Sequence, residues 1–118
     1  VLGAAFKPES DDVRDSPALD IAARLHSIGA DVHVYDPKAN ENAAKRYPRV
    51  DYASSLIQAV ARAEVVVLLT EWDEFRRMTP QDLAPLVRRR QILDGRNVLD
   101  PQQWIDADWT YRALGRRG

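Results

Sequence analysis

Five consecutive apolar residues, Val65-Val66-Val67-Leu68-Leu69, constrain the fold of this chain more than any other feature. The run is rich in β-branched side chains and stops at Thr70-Glu71-Trp72, so residues 64–70 read as the central buried strand. It is far short of the ~20 apolar residues that a membrane-crossing helix needs. Short apolar segments and helical spacings alternate on either side of it. Residues 1–5 read as the end of a first strand. Ser16-Pro17 supplies a cap and a first helical residue. Ala18, Ile21, Ala22, Leu25 and Ile28 follow at helical spacing, and Gly29 closes the helix. Residues 31–35 read as a strand, 38–46 as a short helix and 50–52 as a brief strand. Ser54 is expected to cap a helix to about residue 61. Residues 72–78 read as a loop or single turn, and Thr79-Pro80 opens a helix to about residue 87. A strand at 91–94, a short helix at 101–105 and a last strand at 109–114 complete the chain. Strands that alternate with helices predict an α/β fold, a doubly wound and mainly parallel sheet with helices on both faces.

A length of 118 residues corresponds to one domain, 1–118. The formal net charge of −1, with 30% charged residues, provides no global field for nucleic acid or an anionic membrane, and neither is expected as a partner. The absence of cysteine excludes disulfides, thiolate metal sites and a thiol nucleophile. It fits a reducing compartment, and a cytoplasmic location is expected. The chain opens inside a strand pattern without a methionine, so it is expected to be a piece of a longer protein and to lack a signal peptide.

In open α/β sheets, ligands bind beyond the carboxyl ends of the strands, and four polar phrases follow predicted strands here. The first, residues 6–17, holds Lys7 and Arg14, two cations suited to phosphate oxygens. Ion pairs with Asp11, Asp12 or Asp15 are the other reading of those cations. Gly3 stands alone, without the glycine spacing of a dinucleotide-binding loop. Asp36, after the second strand, either holds a ribose or stabilises a turn, and Asp36-Pro37 favours the turn. Glu71 and Asp73 suggest loop shaping more than paired catalytic carboxylates, because no base–nucleophile partnership accompanies them. Arg96, in Asp94-Gly95-Arg96-Asn97, presents a planar fork to a phosphate or carboxylate, or pairs with Asp94 or Asp100. His26 and His33 show no metal-like spacing.

Taken together and in order, four phrases resemble the C-terminal domain of the UDP-glucose/GDP-mannose dehydrogenase family. They are Gly3 to Pro8 with Asp11-Asp12-Val13-Arg14, Val34-Tyr35-Asp36-Pro37, Thr70-Glu71-Trp72, and Asp94-Gly95-Arg96-Asn97. Tyr111 to Arg116 is similar to the family's closing strand. Phe6-Lys7-Pro8 is closer to the members that oxidise UDP-glucose than to those that oxidise GDP-mannose.

The resemblance implies a Rossmann-like, UDP-binding domain of a longer NAD-dependent enzyme that oxidises UDP-glucose to UDP-glucuronate. It implies that Phe6, Lys7 and Arg96 contact the UDP-sugar and that Arg14 reaches the NAD. The N-terminal domain of such an enzyme binds most of the NAD, and a central region carries the catalytic cysteine. This chain is therefore expected to hold no catalytic residue and no metal, and to belong to a homodimeric enzyme. The alternatives are the same domain acting on GDP-mannose or a UDP-N-acetyl sugar, and a free-standing nucleotide-binding module.

Overall fold

A computed structural model describes residues 1–5 and 16–113. The opening segment forms the seam of the sheet. The Leu2 N–H donates to the Val67 carbonyl at 2.7 Å, and the Leu2 carbonyl accepts from the Leu69 N–H at 2.9 Å. On the other side, the Gly3 N–H donates to Tyr35 at 2.8 Å and the Tyr35 N–H to Val1 at 2.9 Å. Leu2 thus bridges in parallel to Tyr35 and to Leu68.

Beyond Tyr35, β1 (His33–Val34) pairs in parallel with β2 (Asp51–Tyr52), His33 opposite Asp51. Beyond Leu68, β3 (Val66–Leu68) pairs in parallel with β4 (Gln91–Asp94), and β4 with β5 (Thr110–Ala113). Counted along the chain with the opening segment first, the spatial order is third, second, first, fourth, fifth, sixth. This is the strand order of doubly wound nucleotide-binding folds. The strand order reverses between the opening segment and β3, and a crevice forms at that switch point. The predicted α/β architecture is present, and among the described residues every strand pairing is parallel.

Helix α1 (Pro17–Ser27) starts where the sequence placed it. Ser16 accepts from the Leu19 N–H at 3.2 Å, and its hydroxyl donates to the Ala4 carbonyl at 2.7 Å. One side chain therefore caps the helix and anchors it to the end of the first strand. Leu19 and Ala22 of α1 and Ala43 of α2 (Asn40–Arg46) pack with Ala4, Ala5 and Val34 in one core cluster. The larger cluster joins Leu2, Val66, Leu68 and Ile92 to Val60 of α3 (Leu56–Val60) and Phe75 of α4 (Asp73–Arg76). Leu83 of α5 (Pro80–Leu83) and Trp104 of α6 (Pro101–Asp106) complete that cluster.

Two expectations shift. The cap of α3 is Ser55, which accepts from the Gln58 N–H at 3.1 Å, while the Ser54 hydroxyl donates to the Gln58 side chain at 2.6 Å. Adjacent serines offer the same chemistry, and the extended backbone of Ser55 places it in the capping position. Helix α5 ends at Leu83 and not near residue 87. A further turn follows, in which Leu86 and Val87 both donate to the Leu83 carbonyl. No helix among the described residues is long and apolar enough to cross a membrane.

Candidate site at the carboxyl edge of the sheet

At the switch point the first strand crosses the end of β3 with no room to spare. Gly3 has φ +107°, and a Cβ there would overlap the Thr70 side chain. Glycine alone accommodates both the dihedral and the contact. Just beyond, the Ala4 and Ala5 N–H groups donate to Asp36 Oδ2 at 2.8 and 3.0 Å. Asp36 Oδ1 accepts from the N–H groups of Lys38 and Ala39 at 2.9 and 2.8 Å. The indole Nε1 of Trp72 donates to Oδ2 at 3.2 Å.

Asp36 is 2% exposed, so its burial is tolerable because donors surround it. It stabilises the turn after β1, as Asp36-Pro37 suggested, and it also ties together the ends of three strands. With both oxygens engaged by protein donors, it does not fit the ribose-holding alternative.

Asp94 plays the same part after β4. It is fully buried; its carboxylate accepts from the N–H groups of Arg96 at 3.2 Å and Leu99 at 2.8 Å, and from the Tyr111 hydroxyl at 2.8 Å. The Gly95 N–H donates to the Leu68 carbonyl at 2.8 Å, which draws the loop against the end of β3. The backbone of Arg96 is thereby fixed at the crevice. Its side chain pairs with neither of the aspartates considered from the sequence. Arg96 Nε lies 3.7 Å from Glu71 Oε1, and Arg76 Nη2 lies 3.3 Å from Glu71 Oε2. Asp100 instead caps α6, accepting from the Gln102 N–H at 3.1 Å.

Glu74 accepts from the Tyr35 hydroxyl at 2.7 Å. Burial, reinforced by that bond, holds the Tyr35 phenol above its ordinary value, so it remains a donor. Glu71, engaged by Arg76 and Arg96, and Glu74, engaged by Tyr35, both shape this loop, while Asp73, the carboxylate considered with Glu71, opens α4.

Phe6, Lys7 and Arg14 lie outside the described residues. Ala5 and Ser16, which flank the segment that carries them, are both fixed at this edge. Arg96 lies at the same edge. The partnership of Glu71 with Arg96 was missed from the sequence, because it joins the ends of two strands that pair through a crossover. A second omission lies at the opposite edge. Asp31, His33 and Asp51 bring their polar atoms within 4.8 Å of one another. Spacing alone concealed this cluster; the parallel register of His33 with Asp51 creates it. A concavity of about 940 Å³ also opens at that amino edge, between Val1, Leu25, Arg62 and Arg88. Its carboxylates among the described residues, Asp31 and Glu64, are exposed, whereas the carboxyl edge buries Asp36 and Asp94.

Comparison with known proteins agrees with this geometry. The UDP binding domain of the UDP-glucose/GDP-mannose dehydrogenase family matches residues 1–101. UDP-glucose 6-dehydrogenase AglM of Haloferax volcanii is 42% identical over 106 residues, which cover 90% of this chain and 24% of that protein. UDP-glucose 6-dehydrogenase of Rhizobium meliloti is 37% identical over 116 residues, covering 98% of this chain and 26% of that protein. Among solved structures, the NDP-N-acetyl-D-galactosaminuronic acid dehydrogenase of Methanosarcina mazei superposes with a TM-score of 0.86 at 29% identity. That superposition covers 99% of this chain and 24% of the other. The chain spans about a quarter of the length of these proteins.

Proposed function

The chain belongs to the UDP-glucose/GDP-mannose dehydrogenase family, and on that premise we propose that it is the UDP-sugar-binding domain of an NAD-dependent UDP-glucose 6-dehydrogenase. The enzyme oxidises the primary alcohol of UDP-glucose to the carboxylate of UDP-glucuronate in two NAD-dependent steps. The observation that supports this reading is that Arg96 lies at the switch-point crevice together with Ala5 and Ser16, which flank the segment carrying Lys7 and Arg14. Two buried aspartates hold the surrounding backbone there.

In this reading the domain binds and orients. Phe6, Lys7 and Arg96 contact the UDP-sugar, and Arg14 reaches the NAD. Arg96 offers the planar donor fork that suits a phosphate or carboxylate. The chemistry belongs to the rest of a longer, homodimeric, cytoplasmic enzyme, since this chain has no cysteine for a covalent intermediate and no glycine fingerprint. A UDP-N-acetyl sugar is the second reading of the substrate; the resemblance to the M. mazei enzyme, named for an NDP-N-acetyl sugar, favours the N-acetyl group.

Kinetics of the whole enzyme test the assignment. Lys7→Ala and Arg96→Ala each remove a charge-assisted contact worth roughly 1.5–3 kcal/mol, so each should raise the KM for UDP-glucose about tenfold or more. Arg14→Ala should weaken NAD more than UDP-glucose. Residues 1–118 alone should give no turnover. An unchanged KM in both Lys7→Ala and Arg96→Ala would return these cations to structural ion pairs. Lower KM for a UDP-N-acetyl sugar than for UDP-glucose would select the second substrate.

A further inference from the structure

Arg96 has a fixed backbone but a half-exposed side chain, and a flexible guanidinium must be steered before it can recognise a planar anion. Glu71 is the described carboxylate in a position to steer it. It approaches Arg96 at Nε, the inner nitrogen, at 3.7 Å, and no ion pair among the described residues engages the two terminal nitrogens of the fork. The second oxygen of Glu71 meets Arg76 at 3.3 Å. A lone glutamate beside Arg96 would cancel its charge and repel an anionic ligand. With Arg76 included, the three side chains carry one net positive charge (two arginines, one glutamate), which favours an anion at the crevice. Glu71 also sits at the end of β3, where the Gly95 N–H donates to Leu68. The carboxylate and the arginine loop are therefore built on one rigid junction.

We infer that Glu71 and Arg76 are positioning residues that aim the Arg96 guanidinium at the diphosphate of the nucleotide-sugar. The inference rests on Arg96 contacting that ligand.

A double-mutant cycle in the whole enzyme tests it, with the KM and kcat for UDP-glucose as readouts and melting temperature as a control. Glu71→Gln should raise KM about twofold to fivefold, as expected for a half-exposed ion pair that orients a binding group, and should leave kcat within about twofold. Arg76→Gln should raise KM in the same direction, because Glu71 then neutralises Arg96. In an Arg96→Ala background neither substitution should have any further effect on KM. A merely structural role would instead lower the melting temperature and act equally in both backgrounds, which overturns the inference while sparing Arg96. An unchanged KM for both Glu71→Gln and Arg76→Gln also overturns it. If Arg96→Ala itself leaves KM unchanged, the contact between Arg96 and the ligand is lost and the inference falls with it.

Discussion

The two edges of the parallel sheet carry the same kinds of side chain and treat them in opposite ways. At the carboxyl edge, Asp36 and Asp94 are 2% and 0% exposed, and each gathers donors from different stretches of chain. At the amino edge the aspartates stand in water. His33 meets Asp31 at 3.2 Å with side chains 42% and 83% exposed, and Arg88 meets Glu64 at 3.9 Å. A buried carboxylate persists only where donors replace its water, so it fixes every segment that supplies one. An exposed pair is screened and fixes little. Charge alone therefore does not distinguish a site from a surface; burial with complete hydrogen bonding does. The edge built that way is the one at which Arg96 emerges.

The comparison is most easily broken at Asp36. Asp36→Ala leaves five N–H donors, from Ala4, Ala5, Lys38, Ala39 and Trp72, without their acceptor. Unsatisfied buried donors cost about 1–3 kcal/mol each, and relaxation toward water recovers part of that. A loss on the order of 3 kcal/mol or more is expected, read as a melting temperature roughly 10 °C lower or more. Gly3→Ala should come next, at about 2–4 kcal/mol, from its positive φ and the Thr70 contact. Calorimetry or a urea titration of either variant measures this. Wild-type stability in both would mean that the carboxyl edge is no more rigid than the other.

Alkaline pH sharpens the contrast less strongly. Tyr52, at the carboxyl end of β2, donates to the Ala43 and Tyr47 carbonyls at 3.0 and 2.8 Å. Burial, with the neighbouring Tyr47, raises its phenol from 10.0 to about 12. The folded value lies above the unfolded one, so the contribution is complete below about pH 10 and is lost as pH climbs toward 12. Urea midpoints measured across that window should fall for the wild type and fall less steeply for Tyr52→Phe. Parallel slopes would place the titration elsewhere.

How much of this was legible beforehand follows from the range of each interaction. Ser16-Pro17 and Thr79-Pro80 are local devices, and both open helices where the sequence put them. The strand at 91–94 was read to the residue, because its apolar pattern and the following Asp94-Gly95 bound it on both sides. Asp36 was legible as a turn residue, since Lys38 and Ala39 lie within three positions of it. Its bonds to Ala4, Ala5 and Trp72 span more than thirty residues and exist only once the strands have paired. The same holds for Glu71 with Arg96 and for His33 beside Asp51. Residue types near a strand end indicate that a site is present. Strand order decides which of them meet.

The smallest expected effect is the most direct check on the contrast between the edges. Asp31→Asn combined with Asp51→Asn removes two negative charges from the amino edge while keeping side-chain size. Both positions are exposed, and their one close contact with a basic side chain among the described residues is that of Asp31 with His33, an ion pair only when the imidazole is protonated. Losing such a pair costs at most a few tenths of a kcal/mol, and separating two like charges that face each other returns a similar amount. The net change in stability should stay within about 0.5 kcal/mol. Under the proposed function, the KM of the whole enzyme for UDP-glucose should not move, because these residues lie at the opposite ends of the strands from Arg96. A melting temperature shifted by more than about 3 °C would exceed that range. The amino edge would then hold structure of its own, and burial would no longer be what separates the two edges.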